Sequence, residues 1–138
     1  MSKLIIHTDG GARGNPGPAG IGVVIKKGGE TREFKKYIGR ATNNQAEYQA
    51  VILALEKAKE IGGEELEFYL DSELVVKQLN REYRVKDANL APLFVEIWNR
   101  GLSFKKITWH HVRREFNKEA DKLVNEAIDE HQLRHSSP

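Results

Sequence analysis

The sequence contains no cysteine, which excludes disulfide bonds, thiol catalysis and cysteine-based zinc sites. It has no apolar run of about 18 residues or more, so it predicts no transmembrane helix. The first residues lead directly into a predicted strand and lack the apolar segment and cleavage site of a signal peptide. From these absences we expect a cytoplasmic protein without membrane contact.

Neither sign of charge dominates, because the sequence has 22 Lys and Arg and 20 Asp and Glu, which gives a net charge of +2. If several acids bind metal, however, the rest of the surface is clearly basic. A chain of 138 residues is long enough to bury one core. We assign residues 1–130 to a single catalytic domain and residues 131–138 to a polar C-terminal tail that we expect to fray. No protein partner is evident, and we expect a monomer.

Apolar periodicity predicts nine elements in the order β-β-β-α-β-α-α-β-α. Short turns join the first three strands, so these should pair antiparallel, whereas the later strands follow helical crossovers and should be parallel. The predicted fold class is therefore mixed α/β, with helices packed on both faces of the sheet. The predicted strands span residues 3–9, 21–27, 31–38, 66–70 and 106–112, and the predicted helices span 43–61, 73–79, 91–100 and 117–131.

Two acids lie where predicted strands end. Asp9 ends the first strand before the turn expected at Gly10 and Gly11, and Asp71 follows the fourth strand. Ligands of mixed and parallel sheets bind at such carboxyl ends. Other interpretations stay open, since Asp9 could initiate the turn and Asp71 could interact with the dipole of the next helix.

Two further acids lie on predicted helices. Glu47 shares a helical stripe with the apolar Val51, and Asp121 aligns with the apolar stripe of the last helix. A bare carboxylate on a buried stripe is costly and calls for a partner. A capping role and an ion pair are the competing interpretations, although a capping box of Thr42 and Gln45 would leave Glu47 free.

Four converging carboxylates without a basic partner predict bound cations, and therefore a metal-dependent enzyme that acts on phosphate. Mg²⁺ takes oxygen ligands and is usually held by a few carboxylates together with substrate phosphate. Two ions about 3.5–4 Å apart can activate a water and stabilise the leaving oxygen of a phosphodiester. Acid-only ligation argues against zinc. We therefore predict two Mg²⁺ ions per site, with Mn²⁺ as a substitute and Asp9 as the bridging ligand.

Four motifs follow one another along the chain: Thr8-Asp9-Gly10-Gly11 with Gly14-Asn15-Pro16-Gly17, Thr42-Asn43-Asn44-Gln45-Ala46-Glu47, Leu70-Asp71-Ser72 and Asn117-Lys118-Glu119-Ala120-Asp121. Together they resemble the motifs of type 1 ribonuclease H, and the resemblance covers residues 3–128. It implies a ribonuclease H-like fold with a five-stranded mixed sheet, three strands antiparallel and the others parallel. It also implies an endonuclease that cleaves RNA paired with DNA and leaves 3′-hydroxyl and 5′-phosphate ends. By position, the family's metal-binding catalytic acids match Asp9, Glu47, Asp71 and Asp121.

The resemblance also implies which residues contact the substrate. Arg40 and Thr42 match a pocket for a DNA phosphate, and Gln78, two helical turns after Asp71, is a weaker candidate. Glycines allow close approach of backbone, and the 2′-hydroxyl distinguishes RNA from DNA. The residues that match contacts to RNA 2′-hydroxyls and the nearby backbone are Gly10, Gly11, Ala12, Gly14, Asn15, Asn43 and Asn44.

The sequence departs from the family pattern in two places. Many members carry a His in a flexible loop before the last acid, but residues 112–117 are shorter and contain none. His110 and His111 precede this segment on the predicted strand, and we interpret them as packing or edge residues. The long basic handle of some members is reduced to residues 81–86, so we expect weaker substrate affinity or the use of other basic residues.

The sequence also bears on other functions. The Gly-rich loop has neither Gly-x-Gly-x-x-Gly nor Gly-Lys-Ser/Thr, which excludes a dinucleotide-binding or Walker loop. A non-catalytic module that binds hybrids would be expected to lack at least one of the four acids. Activity on double-stranded RNA or on DNA junctions stays open, because a fold alone does not fix the substrate.

Overall fold

The computed structural model describes residues 2–135, which form five strands and four α-helices in the predicted order. A short 3₁₀ turn, Arg114–Phe116, precedes the last helix. The strands are β1 (Lys3–Ala12), β2 (Gly17–Lys27), β3 (Glu30–Ala41), β4 (Glu65–Leu70) and β5 (Lys106–His111), and the helices are α1 (Asn43–Ile61), α2 (Glu73–Leu79), α3 (Ala91–Gly101) and α4 (Lys118–Arg134). In this part of the chain no helix is long and apolar enough to cross a membrane.

The strands form one mixed sheet in the order β3-β2-β1-β4-β5. Strands β1, β2 and β3 pair antiparallel, while β4 lies parallel to both β1 and β5. This arrangement confirms the predicted fold class.

Helices cover both faces of the sheet. Leu4 and Ile6 of β1 are fully buried in one core cluster with Val51 and Leu55 of α1. On the opposite face α4 packs on β2, where Val24 lies in a second cluster with Ala120 and Leu123 of that helix. The alternation of side chains along a strand separates these two cores.

The close packing of α4 on the sheet depends on a glycine of β2. A Cβ atom at Gly22 would overlap the backbone carbonyl oxygen of Ala120. Glycine therefore lets the two backbones approach, and this approach fixes the start of α4 next to β1 and β2.

The first strand is longer than its sequence predicts. Gly10 and Gly11 do not form a turn, because they pair with Ile21 and Gly20 of β2, and β1 continues to Ala12. The pairing of β1 with β4 extends only to His7 and Tyr69. The prediction that β1 ends at Asp9 is therefore wrong. The opening beside Asp9 exists because its neighbour strand β4 ends there, while β1 continues.

The last helix also extends beyond its predicted end. α4 runs to Arg134, so the predicted boundary of the tail at residue 131 falls inside a helix. His131 stacks on Tyr37 of β3 with 3.6 Å between ring centroids, and this contact holds the last turns of α4 against the sheet. The prediction for residues 136–138 lies outside the described residues.

Candidate active site

Asp9 and Glu47 are brought together by the packing of α1 on β1. Asp9 is 8% exposed and Glu47 is 5% exposed. The backbone amide of Gly10 donates a hydrogen bond of 2.6 Å to Oε1 of Glu47. Of the capping arrangements that the sequence leaves open, the structure has the capping box of Thr42 and Gln45, which leaves the Glu47 carboxylate free to face β1.

Asp71 enters the same site from the end of β4. It lies between that strand and α2, whose first turn is capped by the hydroxyl of Ser72. The side-chain amide of Asn117 donates to Oδ2 of Asp71 at 3.3 Å and to the carbonyl of Thr8 at 2.9 Å. Asn117 is therefore a buried link between β1, β4 and the start of α4.

The three carboxylates form a cluster suited to a divalent cation. Asp9, Glu47 and Asp71 each offer an oxygen atom, and these atoms lie within 4.8 Å of one another. No Lys or Arg among residues 2–135 forms an ion pair with any of the three. An oxygen-only donor set of uncompensated negative charge fits Mg²⁺ or Mn²⁺.

The same crowding changes the acidity of the buried carboxyl groups. Burial, and then the negative charge of Asp71, raises the pKa of Asp9 from 3.8 to about 8. Burial, followed by the charges of Asp9 and Asp71, raises the pKa of Glu47 well above its ordinary value. Charges of one sign that are buried together favour protonation unless a cation replaces the protons.

Asp121 lies at the edge of this site and not within its buried cluster. It lines the same cavity of about 380 Å³ as the other three acids, but its side chain is exposed. The expected position on a buried stripe is therefore wrong, because the stripe of α4 meets the sheet at residues such as Val124 and Ile128. The charge of Asp121 nevertheless contributes to the raised pKa of Asp9.

The predicted RNA-contacting residues surround this cavity. Gly10, Gly11, Ala12, Asn43 and Asn44 line it together with the acids. Gly14 and Asn15 lie in the exposed turn that follows β1.

Side-chain hydrogen bonds connect this turn with the start of α1. Oδ1 of Asn43 accepts from the amide of Ala12 at 2.9 Å, and Oδ1 of Asn15 accepts from the amide of Asn43 at 3.0 Å. The two segments therefore form one continuous rim of the cavity.

The remaining substrate candidates lie outside the cavity lining. Arg40 is exposed near the end of β3, next to Thr42, which caps α1. Gln78 is 6% exposed, and its Oε1 accepts a 2.6 Å hydrogen bond from the hydroxyl of Tyr48. The interior of the protein thus supplies a partner for the amide oxygen of Gln78, and its role in substrate contact stays a prediction.

The two histidines of β5 also lie away from the acids. His110 and His111 are exposed and do not line the cavity. His110 stacks on Tyr69 with 5.0 Å between centroids, and its Nε2 lies 2.9 Å from Oγ1 of Thr108. This agrees with their interpretation as packing and edge residues.

Two basic residues of the cavity were not among the predicted substrate-contacting residues. Arg13 and Arg114 both line it. Arg13 is the only charged residue between Asp9 and Lys26, and this isolation within a Gly-rich segment was the available signal. Arg114 follows β5, and no sequence pattern distinguishes it from its neighbour Arg113.

Comparison with known proteins assigns the family. A family model described as reverse transcriptase-like matches residues 7–127. The Ribonuclease H of Rhodopseudomonas palustris is 32% identical over 148 residues, an alignment that covers 97% of this chain and 97% of that protein. The chain belongs to the ribonuclease H family.

Two other relatives add detail to this assignment. The Bifunctional protein Rv2228c of Mycobacterium tuberculosis is 42% identical over 130 residues, which is 92% of this chain but 36% of that protein. The chain thus spans about a third of the length of that relative. The solved N-terminal RNase H domain of Rv2228c matches with a TM-score of 0.93, at 39% identity, covering 99% of this chain and 100% of that one.

A third relative was solved with a nucleic acid. The structure of LC11-RNase H1 in complex with an RNA/DNA hybrid matches with a TM-score of 0.88 and 47% identity, covering 93% of this chain and 98% of that one. These similarities confirm the resemblance that the four motifs indicate.

Proposed function

We propose that this ribonuclease H family member is an endonuclease that hydrolyses the RNA strand of RNA–DNA hybrids. The observation that carries the proposal is the cluster of Asp9, Glu47 and Asp71, whose oxygens lie within 4.8 Å of one another without a basic partner. The complex of LC11-RNase H1 with an RNA/DNA hybrid supports the choice of substrate.

Asp9, Glu47 and Asp71 are the residues that would hold divalent cations, and Asp121 at the cavity edge would complete the set. We propose two Mg²⁺ ions per site, with Mn²⁺ as a substitute. When bound, such ions activate a water for attack on phosphorus and neutralise charge on the scissile phosphate. The protein's own contribution is to hold four carboxylates around one cavity, so that their negative charge is neutralised by cations and not by protons.

The reaction we propose adds water across one phosphodiester bond of the RNA strand. The new bond joins the water oxygen to phosphorus, and the bond to the 3′ oxygen breaks. The products therefore carry a 3′-hydroxyl and a 5′-phosphate.

The rim of the cavity would distinguish the two strands of the hybrid. Gly11 and Ala12 present little or no side chain to the cavity, which would allow the RNA backbone to come close to Asp9 beside the backbone of Gly10. The side chains of Asn15 and Asn43 provide polar groups for 2′-hydroxyls. Arg40 and Thr42, farther along the same edge, would bind a phosphate of the DNA strand. Gly14 has no side chain and would contribute through its backbone, whose φ of 92° is one that glycine adopts readily.

Two alternatives give different results in the same assay. A nuclease with broader specificity would also cleave double-stranded RNA, and a non-catalytic module would bind hybrids without cleaving them. The test offers RNA–DNA, RNA–RNA and DNA–DNA duplexes, each labelled on one strand at a time, with Mg²⁺ or Mn²⁺ and with a chelator as the control. We expect cleavage of the RNA strand of the hybrid only, and none with chelator. Equal cleavage of double-stranded RNA would refute the specificity, and binding without cleavage would refute the activity.

A further inference from the structure

Arg13 is the basic residue of the substrate loop, by which we mean residues 10–17, that is, the end of β1 and the turn that leads into β2. The side chain of Arg13 contacts α4. Nη1 lies 2.7 Å from Oδ1 of Asp129 and donates to Oε1 of Gln132 at 3.1 Å. Nη2 donates to Oδ1 of Asn125 at 3.3 Å. One guanidinium therefore binds three acceptors, which uses the planar fork that Arg presents and Lys lacks.

The three acceptors lie on one stripe of α4. Asn125, Asp129 and Gln132 are separated by four and then three residues, the spacing of side chains on one face of a helix. Gln132 belongs to the last turns of α4, beyond the end of the predicted domain at residue 130. The part of the chain expected to fray thus reaches back to the substrate loop.

The other side of the substrate loop is attached to α1. Asn15 accepts from the amide of Asn43, and Asn43 accepts from the amide of Ala12. The loop is therefore held on one side by the start of α1 and on the other side by α4. The attachment to α4 is made by the side chain of Arg13.

We propose that Arg13 is a positioning residue that holds the substrate loop on α4, so that Asn15 and Asn43 keep their orientation toward the RNA strand. This inference rests on the proposed function. Arg13 acts through the loop and not on the scissile phosphate, because Asp129 already balances its charge at 2.7 Å.

A direct contact between Arg13 and a substrate phosphate is the competing explanation, and the variant Asp129→Asn separates the two. Loss of the carboxylate weakens the hold on the loop, so the positioning role predicts a higher KM. The same change leaves the Arg13 guanidinium free to bind a phosphate of the nucleic acid, so a phosphate contact predicts a lower KM. A phosphate contact also predicts that Arg13→Ala reduces the salt dependence of hybrid binding by about one charge, whereas a positioning role leaves it unchanged.

The experiment compares the full chain with Arg13→Ala, Arg13→Lys and Asp129→Asn. Arg32→Ala, which removes an exposed Arg of β3, is the matched control. We expect Arg13→Ala to raise KM for the hybrid by about two- to fivefold at constant kcat, because the contacts of Arg13 are partly exposed and each contributes little. The KM of Arg13→Lys should lie between those of the unchanged chain and Arg13→Ala. Arg32→Ala should change neither KM nor kcat.

Hydrogen exchange measures the loop without substrate. Arg13→Ala should accelerate exchange at the amides of Ala12 and Asn43 by about two- to fivefold, while the melting temperature stays near that of the unchanged protein. An unchanged KM, a KM lowered by Asp129→Asn, or unchanged exchange at both amides would overturn the inference. If the unchanged chain does not cleave hybrids, the proposed function fails, and the exchange rates still decide whether Arg13 holds the loop.

Discussion

The backbone amide of Gly10 donates a hydrogen bond to Glu47 across 2.6 Å, and this contact joins the first strand to the first helix at the acidic cavity. Gly10 permits it because a Cβ atom there would overlap the backbone carbonyl of Ala46. The helix can approach the strand closely enough to bury Glu47 beside Asp9 only if position 10 has no side chain.

Replacement of Gly10 by alanine should therefore separate α1 from β1. We expect Gly10→Ala to reduce the free energy of unfolding by about 1–3 kcal/mol, the range for overpacked positions, and to reduce activity as Glu47 moves. Denaturant unfolding and hybrid cleavage are the measurements. Gly29→Ala is the matched control, because a Cβ at Gly29 meets no atom within 4 Å. Equal behaviour of the two variants would show that the close approach is unimportant.

Neutralising an acid of the cluster should stop catalysis without unfolding the protein. We expect Asp9→Asn and Asp71→Asn each to lower cleavage of the hybrid by at least about a hundredfold, since each removes charge that holds cations. Circular dichroism should be unchanged, and in chelator both variants should melt at a higher temperature, because repulsion within the cluster is relieved. Glu67→Gln, a carboxylate of β4 that pairs with Lys3, is the control and should retain activity. Near-normal rates in either Asp variant would contradict the metal assignment.

The raised pKa of Asp9 makes the stability of the metal-free protein depend on pH. Its carboxyl has a pKa of about 8 in the folded chain, above its ordinary value of 3.8, so the folded state binds the proton more tightly than the unfolded state. This contribution to stability is fully present below the ordinary value and is lost as the pH rises through the folded value. In chelator, the melting temperature should therefore fall between about pH 5 and pH 8. Asp9→Asn should flatten this fall, whereas the exposed control Glu33→Gln should not, and a curve that rises over this range would contradict the shift.

The histidines of β5 should contribute little to catalysis. His111 is exposed at the end of β5 and does not line the cavity. We expect His111→Ala to lower kcat by less than about tenfold, a small effect beside typical losses of a general base. A larger loss in a protein that melts normally would show that His111 moves toward the substrate.

Local patterns predicted the first two helices and their ends well. The bounds of α1 and α2 match the predicted ones, and the capping box of Thr42 and Gln45, one of the arrangements that the sequence leaves open, is present. The stripe that joins Glu47 to Val51 is buried, as its spacing indicates. These features depend on residues within a few positions of one another, and so a sequence pattern can express them.

The features that local sequence patterns did not predict depend on contacts between residues far apart in the chain. Gly10 and Gly11 have the chemistry of a turn, but pairing with β2 keeps them in the strand. Asp121 follows the apolar periodicity of α4, yet its side chain is exposed at the cavity, although Ala120 and Val124 beside it are buried. Gln78 is buried because Tyr48, thirty residues earlier, supplies its hydrogen bond. The spacing of residues along the chain predicts none of these contacts.

Binding of Mn²⁺ to the unchanged chain, followed by the broadening of backbone amide signals in NMR spectra, tests the central claim most directly. The amides of Gly10 and Ser72, which adjoin the three carboxylates, should broaden first as Mn²⁺ is added, while that of Gly29 at the β2–β3 turn should stay sharp. In Asp71→Asn the same concentration of Mn²⁺ should broaden them much less. Broadening that begins elsewhere, or that Asp71→Asn leaves unchanged, would contradict a cation site formed by Asp9, Glu47 and Asp71.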